Sequence, residues 1–265
     1  MAGRHYLTKQ GKSPGVPEEE LIRVAVRSLG LSDVVLFDPE KKIIECQFRD
    51  GGAALVGMSL RAFANELSMD SPAPGGGSVA ALCGALSAAL SAMVANLTVG
   101  KKEYEAARPD MIATAVRAQE LKDALLGAVD RDTQAFNKVM EALRLPKTTP
   151  EQAEEKDRAV EEANKEATLV PLEVLGKSVE AVALARVAAD KGNRNSVSDA
   201  GVGGLAGQAA GEGAYYNVLI NLSGIKDAAF TARVRREAAR LKKSLDKEAK
   251  AVKDIVAKAL SGPKA

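Results

Sequence analysis

The sequence predicts an all-α protein, an antiparallel bundle of long helices preceded by a short mixed α/β segment. Three observations carry that prediction. From Ser59 onward apolar residues recur with the 3.6-residue period of amphipathic helices. Aromatic residues make up 3% of the chain and tryptophan is absent, while alanine is abundant, a composition suited to closely packed helices. Small residues recur at four-residue intervals, as Ala80, Gly84, Ala88 and Ala92 and again as Gly203, Gly207 and Gly211. A glycine inside a helix costs about 1 kcal/mol relative to alanine, so such runs ask for close contact with another helix or with a flat ligand.

Taken in order, Pro17 opens a helix over Glu18 to Leu29, with Leu21, Ile22, Ala25, Val26 and Leu29 on one face. Val34 to Phe37 and Ile43 to Phe48 read as short strands around a turn at Asp38-Pro39-Glu40-Lys41. Residues 1–50 can hold little core of their own and are either docked on the helical domain or loosely ordered, the expectation being a loosely ordered or partner-docked piece. Residues 51–58, with Gly51, Gly52 and Gly57, are a linker, and 59–265 form the helical domain. Within it, Leu60, Phe63, Ala64 and Leu67 share a face. Ser78 to Thr98 makes a helix of roughly 30 Å, whose serines and glycine mark a buried helix rather than a membrane span. Asp110 to Leu143 is a long amphipathic helix stopped by Pro146, and Glu151 to Thr168 is a charged, solvent-facing stretch. Pro171 starts or kinks the helix that runs on to about Ala189. A last helix from Ala229 to Leu260 presents Val234, Leu241, Leu245, Val252 and Ile255.

Two polar segments interrupt this pattern where chemistry belongs. Gly75-Gly76-Gly77 leaves backbone N–H groups uncovered by Cβ atoms, and Ser78 is a natural N-cap, so a helix N-terminus is offered to an anionic or carbonyl-bearing ligand. No Gly-Lys-Ser/Thr follows, and Pro72 and Pro74 break any preceding strand, which disfavours nucleotide binding. The second segment gathers Asn193, Asn195 and Asp199 among Ser196 and Ser198, either an N-cap cluster or a ligand site. With 37 basic against 35 acidic residues the chain offers no field for nucleic acid or a membrane surface. Cys46 and Cys83 lack metal-ligand spacing, no secretory apolar region opens the chain, and the expected compartment is the cytoplasm. Cys83 reads as a small core residue, and the one histidine, His5, lies outside the helical domain.

The stretches PAPGGGSVAALCGALSAALSAMVANLTVGKKEYE (Pro72 to Glu105) and GNRNSVSDAGVGGLAGQAAGEGAYYNVLINLSGIKD (Gly192 to Asp227) resemble the two signature blocks of the formiminotetrahydrofolate cyclodeaminase and methenyltetrahydrofolate cyclohydrolase family. The resemblance runs from about Met58 to the C-terminus. Gly3 to Ile22 and Phe37 to Glu45 are similar to the C-terminal end of glutamate formiminotransferases. The resemblance implies an all-helical, cyclodeaminase-like, folate-binding domain, typically a homodimer or higher homo-oligomer, carrying the tail of a transferase domain without transferase activity. A formiminotransferase is a further implied partner.

The implied reaction closes 5-formiminotetrahydrofolate to 5,10-methenyltetrahydrofolate with loss of ammonia, and needs no cofactor beyond the tetrahydrofolate substrate. A carboxylate suits it, stabilising the cationic amidine and moving protons. Asp199 is the first candidate, beside Asn195 and Asn193, whose amides could hold the pterin or orient the leaving group, with Ser198 also in the site. Asp130 and Asp132 are a second choice, about 200° apart on a helical wheel so that only one faces a site. Asp130 is the expected one. Gly75, Gly76, Gly77 and Ser78 are candidate substrate-binding residues. Lys101 and Lys102 are placed for the glutamate carboxylates of a folate tail, or as partners of a helix C-terminus. Tyr104, Tyr215, Tyr216 and Asn217 are further wall candidates. A cyclohydrolase on the same scaffold and a non-catalytic helical module are the alternatives.

Overall fold

The computed structural model describes residues 1–33, 35–44 and 55–262. Among the described residues four short helices come first: α1 (Ala2–Lys9), α2 (Glu18–Ser28), α3 (Pro39–Lys42) and α4 (Leu60–Leu67). The body is built from α5 (Gly76–Thr98), α6 (Arg108–Arg144), α7 (Pro150–Lys191), α8 (Val197–Leu222) and α9 (Ala228–Ser261). Among the described residues there is no strand.

Local chemistry sets the helix ends. α6 stops at Leu145, whose ψ of 145° is what a residue before proline adopts. A capping box opens α7: Thr149 Oγ1 accepts from Gln152 N–H at 3.3 Å, and Gln152 Oε1 accepts from Thr149 N–H at 3.3 Å. Asp227 caps α9 by accepting from Phe230 N–H at 2.9 Å.

Successive long helices run antiparallel. Along the α5–α6 seam Gly77 meets Asp132, Gly84 meets Leu125, and Ala95 packs with Met111 and Ala115. α5 and α8 are also antiparallel, and here the small-residue stripes are used: a Cβ on Gly207 would lie 2.6 Å from Ser87 Oγ, so the two backbones need glycine to come this close. α9 meets the other side of α8, with Val252 against Gly204. Leu121, Leu125, Leu175, Val182, Val218 and Leu245 fill the centre at 0–1% exposure. Truncating one of the buried leucines to alanine would cost about 2–5 kcal/mol.

The outward side of the α5–α8 pair is apolar. Leu86, Met93 and Leu97 of α5 and Val202, Leu205, Tyr216 and Ile220 of α8 are all exposed there. α5 is uncharged throughout, and although long and apolar enough to cross a bilayer, its most apolar window is 61% buried in the bundle.

Three expectations are corrected. Residues 1–44, where described, are helical or irregular: Val35 to Phe37 form no strand, Pro39 starts α3, and Val34 and the 45–48 part of the second expected strand lie outside the described residues. Phe37 N–H donates to Ser32 Oγ at 3.2 Å, a local bond that turns the chain back on itself, and Pro39 suits a first helical turn. The N-terminal piece is docked on the bundle rather than loose. Asn96 Nδ2 donates to Gly15 O at 2.8 Å, Arg108 Nη2 donates to Gly11 O at 3.0 Å, and Gly15 sits against Ala115.

Finally, of the two roles expected for Pro171, starting a helix is overturned. Pro171 is buried inside the continuous 42-residue α7. Proline lacks the N–H that would bond the carbonyl four residues back, Ala167 O. Asn221 Nδ2 of α8 donates to that carbonyl at 2.8 Å and takes the missing donor's place.

Candidate active site

The glycine turn opens α5 against the middle of α6. Gly75 is the extended N-cap residue and makes no side-chain cap, while Ser78 lies inside the first turn, fully buried, rather than acting as the N-cap. Its Oγ is 3.0 Å from Val129 O, 3.1 Å from Asp132 Oδ2 and 3.3 Å from Thr133 Oγ1. Asp132 thus answers the positive end of α5, the place a carboxylate is stabilised. Burial pushes its carboxyl above its ordinary value, opposed by hydrogen bonds from the Ser78 side chain and N–H.

A cleft of about 310 Å³ opens in front of this group, lined by Gly75, Gly76, Gly77, Asp132, Thr133 and Phe136 from one side. Asn164 and Ala167 of α7 and Asn217 and Asn221 of α8 line the other. Asp132 is the charged residue of this lining. Larger clefts of about 530 and 910 Å³ flank α2, but neither is lined by the glycine turn that opens α5.

Asp130, the expected carboxylate of α6, is employed elsewhere. Its Oδ1 accepts from Leu55 N–H at 2.7 Å and so ties down the Leu55–Gly57 turn, while Asp132 is the one that reaches the glycines. The second polar segment lies at the opposite end of the bundle. Asn193 is buried, its N–H donates to Thr98 Oγ1 at 2.8 Å, and its Oδ1 accepts from Asn195 N–H at 3.1 Å. Arg194 N–H donates to the Tyr104 hydroxyl at 3.1 Å. Asn195 and Ser198 are exposed and Asp199 is half-buried in the first turn of α8. Lys101 and Lys102 follow Gly100 at this same end.

Gly76 and Thr98 are the two ends of a 23-residue helix, about 33 Å apart at 1.5 Å per residue. One subunit therefore brings Gly75, Gly76, Gly77 and Ser78 together with Asp132, and separately Asn193, Asn195, Ser198 and Asp199 with Lys101 and Lys102. It does not join the two groups. Sequence reasoning missed Asn164, Asn221 and Thr133. The i, i+4 pair Asn217 and Asn221 on the second signature helix was the available signal.

An antiparallel helical bundle that aims a half-buried carboxylate, a glycine-opened helix N-terminus and several amides into one cleft is a scaffold suited to proton transfer on a small polar ligand. Its family is equally plain: the model for formiminotransferase-cyclodeaminase matches residues 59–240, and that for a formiminotransferase domain matches residues 1–49. The chain belongs to the formiminotransferase-cyclodeaminase family. It is 37% identical over 220 residues to formimidoyltransferase-cyclodeaminase of Rattus norvegicus, covering 82% of this chain and 41% of that one. It is 40% identical over 172 residues to methenyltetrahydrofolate cyclohydrolase of Methylorubrum extorquens, covering 65% of this chain and 83% of that one. A crystal structure of formiminotetrahydrofolate cyclodeaminase from Thermotoga maritima superposes with a TM-score of 0.70 at 29% identity, covering 77% of this chain and 98% of that one. The chain spans about two fifths of the length of the rat relative, 41%.

Proposed function

We propose that this protein is a formimidoyltetrahydrofolate cyclodeaminase, an ammonia lyase that closes 5-formiminotetrahydrofolate to 5,10-methenyltetrahydrofolate. The observation that carries the reading is Asp132, a carboxylate with a raised pKa set against the glycine turn. In the reaction N10 attacks the amidinium carbon and forms the new C–N bond. Asp132 takes the N10 proton and passes it to the former formimino nitrogen, whose bond to carbon breaks as ammonia leaves. The single positive charge passes from amidinium to methenyl product, so one carboxylate serves both proton transfers. Holding N10 and the amidine carbon in contact can supply several kcal/mol of the barrier, and the proton relay a further factor of about 10²–10⁴.

The Asn193–Asp199 segment is brought to the glycine turn by a second subunit. A homodimer pairing the bare apolar faces of α5 and α8 about a two-fold axis would set the Gly75–Gly77 end of one subunit beside the Asp199 end of the other. The exposed Leu86, Leu205 and Tyr216 and the uncharged α5 support this pairing. In that arrangement Asp199 and Asn195 of the partner subunit complete the wall, and its Lys101 and Lys102 meet the glutamates of a folate tail. Residues 1–49 are read as a docking element for a formiminotransferase rather than as a transferase site. α2 buries none of its residues, and Ile22 and Val26 line an apolar cleft.

A cyclohydrolase is the second reading, favoured by the bacterial relative of that name; the transferase-domain match over residues 1–49 tips the choice to cyclodeaminase. Following methenyltetrahydrofolate by absorbance with the purified protein separates them. Formation from 5-formiminotetrahydrofolate with release of one ammonia is the expected result, and accelerated disappearance of methenyltetrahydrofolate without such formation would replace it with the cyclohydrolase.

A further inference from the structure

Two amides in the cleft have their orientation fixed by what their nitrogens do. Asn217 Nδ2 donates to Gly213 O at 2.8 Å, and Asn221 Nδ2 donates to Ala167 O at 2.8 Å. Both partners are carbonyls, which only accept, so in each case the NH₂ end must face the helix and the Oδ1 end is left to the cleft. Asn164 follows the same pattern more weakly, with its Nδ2 3.5 Å from Gly224 O. Beside the Asp132 carboxylate, this wall therefore presents the Oδ1 acceptors of Asn217 and Asn221, each NH₂ group having one N–H taken by a backbone carbonyl.

For Asn221 the orienting carbonyl exists because of Pro171. Any other residue at that position would donate its own N–H to Ala167 O and compete with the Asn221 amide. The buried proline in mid-helix thus holds a side chain of the neighbouring helix in one orientation.

We infer that Asn217 and Asn221 are specificity-determining residues that accept hydrogen bonds from N–H groups of the ligand, and that Pro171 is the positioning residue for Asn221. The inference rests on the proposed reaction for the identity of the ligand: an amidinium nitrogen carries N–H groups that can donate to these amide oxygens, whereas the oxygen of a formyl group in the same place can only accept and leaves them without a donor. A site built to receive N–H groups rejects an analogue that lacks them, because its half-buried acceptors are left without a donor.

The test compares KM for 5-formiminotetrahydrofolate with the inhibition constant of 5-formyltetrahydrofolate, in the intact protein and in Pro171→Ala and Asn217→Ala. Pro171→Ala removes two buried ring carbons, at about 0.8 kcal/mol each, but restores the hydrogen bond within α7, so its melting temperature should stay close to the parent's, and Asn217→Ala changes a half-buried residue. Each variant is expected to lower the preference for the formimino ligand about 10- to 100-fold, with kcat less affected than KM. A preference within about twofold of the parent in both variants would overturn the inference while leaving the reaction intact. If the parent shows no turnover, the substrate is not consumed and the two dissociation constants are measured directly. A formimino preference that Pro171→Ala abolishes then supports the inference without the reaction, and equal affinity for both ligands in the parent overturns it.

Discussion

Replacing Asp132 with asparagine removes one proton-carrying oxygen and changes almost nothing else in shape. Asp132 sits where Ser78 Oγ, 3.1 Å away, and the first turn of α5 converge, and an asparagine can still accept there. If the carboxylate carries the proton from N10 to the departing nitrogen, kcat should fall by about 10²–10⁴, or about 3–5 kcal/mol in the barrier at 1.36 kcal/mol per tenfold. Stability should move the other way. The fold raises the pKa of Asp132 above its unfolded value, so the stabilisation it gives is complete below about pH 3.9 and is lost as pH rises through the folded value. At neutral pH the ionised carboxylate is therefore a cost that asparagine lifts, and the melting temperature should hold or rise. The activity profile carries the matching sign: the base works when ionised, so the parent loses turnover as pH falls through a midpoint above about 3.9, and the variant lacks that limb. Methenyl formation by stopped-flow absorbance, beside a thermal melt, reads both quantities. Turnover within about threefold of the parent, in a folded variant, would refute the proton-carrier role.

Other perturbations probe the surroundings of that carboxylate. In Gly77→Ala the added Cβ would lie 2.5 Å from Asp132 Cγ; displacing the carboxylate should cost about 1–3 kcal/mol of stability together with most of the turnover, and an active variant of unchanged melting temperature would contradict the geometry. Asp132→Asn and Asp199→Asn are each expected to be inactive alone, yet a subunit-exchanged mixture should recover about a quarter of the parent activity, because half the dimers then hold one intact site. No recovery after verified exchange would place each site within one subunit. Lys101→Ala with Lys102→Ala should weaken polyglutamyl folate more than monoglutamyl folate, as measured by KM; equal weakening would remove the tail-binding role.

Much of the bundle was legible because its rules are local. The 3.6-residue period located the long helices, Pro146 ended α6, and the glycines at 203 and 207 announced the close approach of α5 to α8. What escaped depended on partners distant in sequence. A helical wheel separates Asp130 from Asp132, but only the register of α5 against α6 decides which of them meets Gly77. Pro171 looked like a boundary because its substitute donor, Asn221, is 50 residues away in sequence. The two signature segments read as one site because each opens a helix. Those helices pack antiparallel, so their starts lie at opposite ends. The first expected N-terminal strand failed over Val35 to Phe37, where Phe37 N–H donates to Ser32 Oγ at 3.2 Å, while the docking of Gly15 through Asn96 had no sequence signal at all.

The most direct measurement is a crystal structure of the protein with a bound tetrahydrofolate ligand. The pterin and the reacting carbon are expected in the cleft between Gly75–Gly77 and Asn217, with N10 within hydrogen-bonding reach of Asp132. A ligand seated at Asn193 to Asp199 of one subunit, with the glycine cleft empty, would contradict it.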